Sequence, residues 1–206
     1  MQRNVLEYLE ETVKRVPDKI AFANDKTQLT FQQFSDDIRA IGSELIRKGY
    51  QKEPVLIYMN KSPEALEGFF GVIESGCFYV PLDEEMPKRR IELIIENTKA
   101  RVIICDQENL KRVKELPFDG EIMLHEELAK KREDKEKLDK VRRTALDTDP
   151  LYVLFTSGST GMPKGVVGHH RGVIDYIDQL SAVLDFDKES VFGNQAPLYF
   201  DACMKD

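Results

Sequence analysis

"LYVLFTSGSTGMPKGVV", residues Leu151 to Val167, decides the fold. Five mostly apolar residues, Leu151 to Phe155, form a short strand of the kind buried on both faces. They run directly into four hydroxyl side chains (Thr156, Ser157, Ser159, Thr160) and three glycines (Gly158, Gly161, Gly165), with one lysine, Lys164. The chain then turns apolar again in a strand-like way. Glycines let backbone N–H groups come close to an anion, hydroxyls add neutral donors, and a lysine adds a mobile point charge. The combination favours a phosphate-bearing ligand over a plain surface turn. Two better-known glycine motifs are excluded. A Walker loop starting at Gly158 would need glycine where Pro163 stands and Ser or Thr where Gly165 stands. A nucleophile elbow centred on Ser159 would need glycine at Ser157.

Outward from this loop, helix-like and strand-like segments alternate. Thr30 and Gln33 form a capping box. Phe31, Phe34, Ile38, Ile41 and Leu45 share one helical face, and Gly49 stops that helix. Val55 to Met59 is the next strand. Ser62 and Pro63 open a helix with Leu66, Phe69, Phe70 and Ile73 inward, ended by Gly76. Phe78 to Leu82 is extended. Pro87 starts a helix that turns Ile91, Ile94 and Ile95 to the core, and Val102 to Cys105 is a strand. The expected fold is α/β, a mainly parallel sheet flanked by helices. Ligands in such sheets bind where loops leave the carboxyl ends of strands. The loop after Phe155 lies at such an end if its strand is parallel.

A net charge of −7 disfavours nucleic acid as a partner, and no apolar run is long enough for a membrane span or a secretory signal. Cys77, Cys105 and Cys203 are widely spaced, as reduced buried thiols in a cytoplasmic protein would be. "KKREDKEKLDKVRR" mixes both signs, with Glu133–Lys137, Glu136–Lys140 and Asp139–Arg143 spaced by four. It is expected to be a solvated helix or linker. The expected organisation is an α/β lobe over 1–124, a charged helix or linker over 125–150, and a phosphate loop with the start of a substrate pocket over 151–206. His125 lacks the second histidine of a zinc-binding HExxH, and no protein-bound metal is assigned.

"YVLFTSGSTGMPKGVV" resembles the phosphate loop of the adenylate-forming (AMP-binding) enzymes. "PDKIAF" and "LTFQQF" resemble the family's N-terminal segments. "ESGCFYVPLD" resembles a segment of the amino-acid-activating branch, and "PKRRIELIIENTKARVIICD" is similar to the residues after that segment in the same branch. "HRGVIDYI" resembles the helix start after the loop. "YFDACMKD" resembles the segment that enters the amino-acid pocket, with Cys203 where serine is usual, and Cys77 stands where glycine is common. The resemblance implies the incomplete N-terminal portion of the large domain of an adenylate-forming enzyme, from a nonribosomal peptide synthetase adenylation domain. The implied reaction joins an amino acid to ATP, giving an aminoacyl-adenylate and pyrophosphate. The product then passes to phosphopantetheine on a carrier domain.

By resemblance, Thr156, Ser157, Gly158, Ser159, Thr160 and Gly161 wrap the phosphates and Lys164 meets the outer ones. Mg²⁺ arrives with ATP. Asp201 pairs with the α-ammonium of the substrate, and Phe200, Ala202 and Lys205 line its pocket, with Lys205 suiting an acidic side chain. His170 is expected to have a structural or capping role. No catalytic residue is assigned. The adenine-binding, hinge and catalytic-lysine segments of the family are not found in the chain, so the chain alone is expected to be inactive. Its partners would be the remainder of the adenylation domain, a carrier domain, and a second copy in a homodimer through exposed apolar surface. The alternatives are a D-alanine-carrier ligase, an acyl-CoA synthetase, or a nucleotide-binding module without catalysis. The expected aspartate–ammonium pair disfavours the acyl-CoA synthetase.

Overall fold

The computed structural model describes residues 2–156, 162–187 and 189–200. Helix α1 (Leu6–Arg15) leads into a small antiparallel pair, β1 (Ile20–Ala23) and β2 (Gln28–Thr30). Next come α2 (Phe31–Arg47), β3 (Pro54–Tyr58), α3 (Pro63–Glu74), β4 (Phe78–Leu82), α4 (Lys88–Thr98) and β5 (Val102–Cys105). The short α5 (Leu110–Lys114), β6 (Glu121–Leu124), α6 (His125–Leu128) and α7 (Lys135–Thr144) precede β7 (Pro150–Thr156), β8 (Lys164–His169) and α8 (His170–Leu184).

One six-stranded sheet has the order β6-β5-β3-β4-β7-β8. β6, β5, β3, β4 and β7 pair in parallel, and β8 runs antiparallel to β7. The expected mainly parallel sheet is therefore present. The organisation expected to change at 124 and 150 does not interrupt it, since β6 lies before that stretch and β7 after it.

The strands are apolar throughout because both faces are covered. On β3, Val55 and Ile57 enter one core with Phe34, Ile38 and Ile41 of α2 and Val72 of α3. Leu56 and Tyr58 enter the opposite core with Ile91, Ile94 and Ile95 of α4. Each fully buried aliphatic side chain stabilises the fold by about 1.5–3 kcal/mol.

Local signals set the helix ends. Thr30 Oγ1 accepts from Gln33 N while Gln33 Oε1 accepts from Thr30 N. Ser62 Oγ caps α3 by accepting from Ala65 N. The strand expected at Val55–Met59 is shifted one residue earlier, and Pro87 is the cap of α4 rather than its first residue.

The stretch expected as a solvated helix or linker is more firmly held than its charge suggests. Leu138 of α7 is buried, and Arg142 reaches Glu10 at 3.0 Å and the buried Glu74 at 3.5 Å. Glu133 pairs with Arg39 of α2, and Lys137 with Asp134 at 3.4 Å. Of the expected pairs spaced by four, Glu133 and Lys137 thus take other partners, one tertiary and one local. His125 lies inside, its Nε2 2.8 Å from Glu67 Oε2. Beside this pair, burial and then the charge of Glu67 push the Asp37 carboxyl up to about 7.

Helices α2 and α3 cross where Gly42 meets Gly71. A Cβ on Gly71 would lie 2.5 Å from Ile41 Cγ2 and 2.6 Å from Ile41 Cβ. Gly71→Ala is expected to cost about 1–3 kcal/mol despite alanine's better helix propensity, because the crossing must widen. Gly193→Ala, where an added Cβ meets nothing within 4 Å, is the control. A lowered urea midpoint for the first variant alone is the expected result.

Candidate active site

The sheet reverses direction at the loop. β7 is the last parallel strand, joined to β4 at Tyr152–Tyr79, and β8 returns beside it with Thr156 opposite Lys164. Thr156 and Lys164 therefore flank the carboxyl end of β7, where the parallel-sheet rule places a ligand. Both are exposed, and Thr156 Oγ1 donates to Lys164 O at 3.4 Å. Ser157, Gly158, Ser159, Thr160 and Gly161, expected to wrap phosphates, lie outside the described residues.

Gly165 has a different use from anion approach. A Cβ there would lie 2.8 Å from Val153 Cγ1 and 3.2 Å from Phe155 Cζ. The glycine makes room for β7 side chains beneath β8. Gly168 does the same for the Tyr152 ring, which a Cβ would meet at 2.2 Å.

The segment expected to enter the substrate pocket comes to the same sheet end. Lys61, in the turn after β3, donates through Nζ to Asn194 O at 2.7 Å and Ala196 O at 3.1 Å. Leu198 then packs against one core and Tyr199 against the other, which contains Phe155. Phe200 lies tilted against Tyr199 with ring centroids 4.8 Å apart and remains 51% exposed. Asp201, Ala202 and Lys205 lie outside the described residues. The structure thus brings Thr156, Lys164 and Phe200 to the strand ends.

Sequence reasoning missed two cations here. Lys61 is one. Arg90, in the first turn of α4, donates from Nη2 to Phe155 O at 2.6 Å. Both bind backbone carbonyls, which leave no partner residue type to search for. The only hint was a run of basic residues, Lys88 to Arg90, at a helix start that disfavours positive charge.

The two histidines at the junction of β8 and α8 divide the expected structural role. His169 caps α8, its Nδ1 accepting from Gly172 N at 3.0 Å. His170 is buried, and its Nδ1 accepts from Val5 N at 3.3 Å, tying α8 to α1. Tyr8 Oη reinforces the tie by donating to Asp178 Oδ1 at 2.5 Å. Burial, helped by the nearby Arg142 charge, lowers the His170 pKa from 6.5 to about 4.

The family model described as AMP-binding enzyme matches residues 9–205. Gramicidin S synthase 1 of Brevibacillus brevis is 28% identical over 97% of this chain, which spans 18% of that protein. Indigoidine synthase of Streptomyces lavendulae is 31% identical over 94% of this chain and 15% of its own length. The chain therefore spans a small part of these relatives. Among solved structures, the nonribosomal peptide synthetase FmoA3 superposes with a TM-score of 0.83 at 22% identity, over 98% of this chain and 21% of that one. VinN in complex with L-aspartate gives 0.77 at 21% identity, over 92% and 55%.

The low pKa of His170 has a sign. Unfolded chains take up its proton near 6.5 and the folded chain only near 4, so stability is complete above 6.5 and falls as pH drops through that window. The loss approaches ~3 kcal/mol at full protonation. His170→Asn, which keeps an acceptor for Val5 N, is expected to flatten this part of the acid dependence. Urea midpoints of both proteins at pH 7 and pH 4.5 measure it. With Thr156 paired to Lys164 at the carboxyl end of a parallel strand, and the family match over residues 9–205, the chain belongs to the AMP-binding enzymes, the adenylate-forming ligases.

Proposed function

We propose that the protein carrying this chain activates an amino acid as its aminoacyl-adenylate, releasing pyrophosphate, for transfer to a phosphopantetheine carrier in nonribosomal peptide synthesis. The observation that carries this reading is the convergence of two segments on one sheet end. Thr156 and Lys164 flank the expected phosphate loop, and residues 194–200 lead to the expected amino-acid contact.

In this reading the amino-acid carboxylate attacks the α-phosphorus of ATP and pyrophosphate leaves. Charge builds on the departing phosphates, and preorganised donors stabilise it. Thr156 and Lys164 supply a hydroxyl and an ammonium there, with Ser157, Gly158, Ser159, Thr160 and Gly161 completing the grip. Mg²⁺ comes with ATP and shares that charge. Asp201 holds the α-ammonium by a charge-assisted hydrogen bond. Phe200 and Ala202 form pocket wall, and Lys205 favours an acidic side chain. VinN, of the same fold, is solved in complex with an acidic amino acid, L-aspartate. The proposed organisation keeps 1–124 as the lobe, 125–150 as its charged brace and 151–206 as the ligand-bearing part. The proposed compartment is the cytoplasm.

Amino-acid-dependent pyrophosphate exchange by the complete protein tests the reading. Exchange is expected, with aspartate or glutamate preferred. Activity with fatty acids alone would reject it, and preference for a large apolar amino acid would reject the role of Lys205. Lys164→Ala is expected to lower kcat/KM for ATP by about tenfold or more without lowering the thermal midpoint.

We further propose a homodimer of this chain. Val183, Leu184, Val191 and Phe192 are exposed on and after α8, at 78%, 53%, 92% and 48%. Exposed apolar surface of this kind favours association. Sedimentation of the 206-residue chain is expected to give a concentration-dependent dimer that Val183→Glu weakens, and a monomer at all concentrations would reject it.

A further inference from the structure

We propose that Arg90 and Lys61 are separate positioning residues, Arg90 for the ATP end of the site and Lys61 for the amino-acid end. The inference rests on the function proposed above and adds the division of labour.

Arg90 acts on the strand that feeds the phosphate loop. The ladder between β4 and β7 has one registered pair, Tyr79–Tyr152. Three residues further on, Phe155 is still paired with Gly165 of β8, but its carbonyl oxygen accepts from the Arg90 guanidinium at 2.6 Å. The next pair along that ladder is Thr156–Lys164. A guanidinium anchored on α4 therefore fixes the strand end one residue before both side chains expected to meet phosphate. α4 is itself fixed, because Ile91, Ile94 and Ile95 are buried in the core that holds Phe155.

Lys61 acts on the other segment. Its single ammonium takes two carbonyls, Asn194 O and Ala196 O, and so sets the local path of the chain four residues before Phe200. Lys61 is carried by the turn after β3, next to the Ser62 cap of α3. The two cations thus start from different strands and hold different segments.

Local preference runs against both placements. α4 has no acid in its first turn, where Lys88, Arg89 and Arg90 sit, and Lys61 directly precedes the cap of α3. Helix N-termini favour negative charge. A cation kept where the local field disfavours it, and bonded to a carbonyl at the site, marks a position governed by the site rather than by the helix.

The experiment pairs substrate kinetics with local amide exchange. In the complete protein, Arg90→Gln is expected to raise KM for ATP about tenfold and leave KM for the amino acid within about twofold. Lys61→Met is expected to do the reverse. Arg90→Lys, which can still reach one carbonyl, is expected to return KM for ATP to within about threefold of the parent. In the 206-residue chain, hydrogen exchange is expected to quicken at 153–156 and 164–167 in Arg90→Gln, and at 194–200 in Lys61→Met. Equal changes in both KM values, or exchange that quickens everywhere or nowhere, would overturn the inference. If the parent protein exchanges no pyrophosphate with any amino acid, the proposed reaction falls. The amide pattern then decides alone whether the two cations hold the two segments.

Discussion

The direction change between β7 and β8 is the constraint on which the site depends. β7 is apolar because it lies between β4 and β8 with both faces covered. Leu151 enters one core, while Val153 and Phe155 enter the other. The β7–β8 register shifts between Pro150 and Tyr152, and beyond that shift Val153 and Phe155 lie two apart on one face. A slip of one residue there would turn both out of their core, so burial fixes the register. Fixed register puts Thr156 at the strand's outer end and Lys164 opposite it. Only glycine at 165 lets the Val153 and Phe155 side chains fill the space beneath β8. Packing of apolar side chains thus determines where polar ones emerge.

Polar groups inside the protein lie at seams between elements rather than within the sheet. Glu74 of α3 is buried, which pushes its carboxyl up, and the Arg142 guanidinium of α7 opposes that shift. His125 meets Glu67 where α6 joins α3, and His170 meets the Val5 amide where α8 joins α1. Burying a charged or polar group costs free energy unless a partner compensates. Each seam therefore holds its helix in one position, since sliding would strand the buried group. This explains why α7, with seven charged residues among its ten, has a defined place against α2 and α3.

Much of the fold was legible because its elements carry strong local signals. The capping box at Thr30 and Gln33, Ser62 before Pro63, and the apolar run Phe78 to Leu82 each combine a stop or start residue with a hydrophobic period. What was not legible has weak or non-local causes. β1, β2 and β6 are three or four residues long and half exposed, too short for a period to register. α1 is placed through Leu6, Asn4 and the His170 contact, partners more than a hundred residues away in the last case. At the site, the motif pointed to the end of β7 and to Lys164, which the structure places opposite Thr156. It could not distinguish His169 as the cap from His170 as the buried tie, because both are histidines one residue apart. It gave Gly165 no role that separated packing from anion contact.

The charge of the chain also takes on a local meaning. A net −7 argues against binding a polyanion through the whole surface, but it does not forbid a small anionic ligand at one point. Lys61, Arg90 and Lys164 come from the turn after β3, the first turn of α4 and the start of β8, all at the carboxyl end of the sheet. Two of them already have backbone carbonyls as partners, so their positions are set without any ligand. A carbonyl satisfies a donor without cancelling its charge, unlike a carboxylate. Cations held in this way keep a positive potential at the strand ends, which under the function proposed above would meet a triphosphate with little rearrangement.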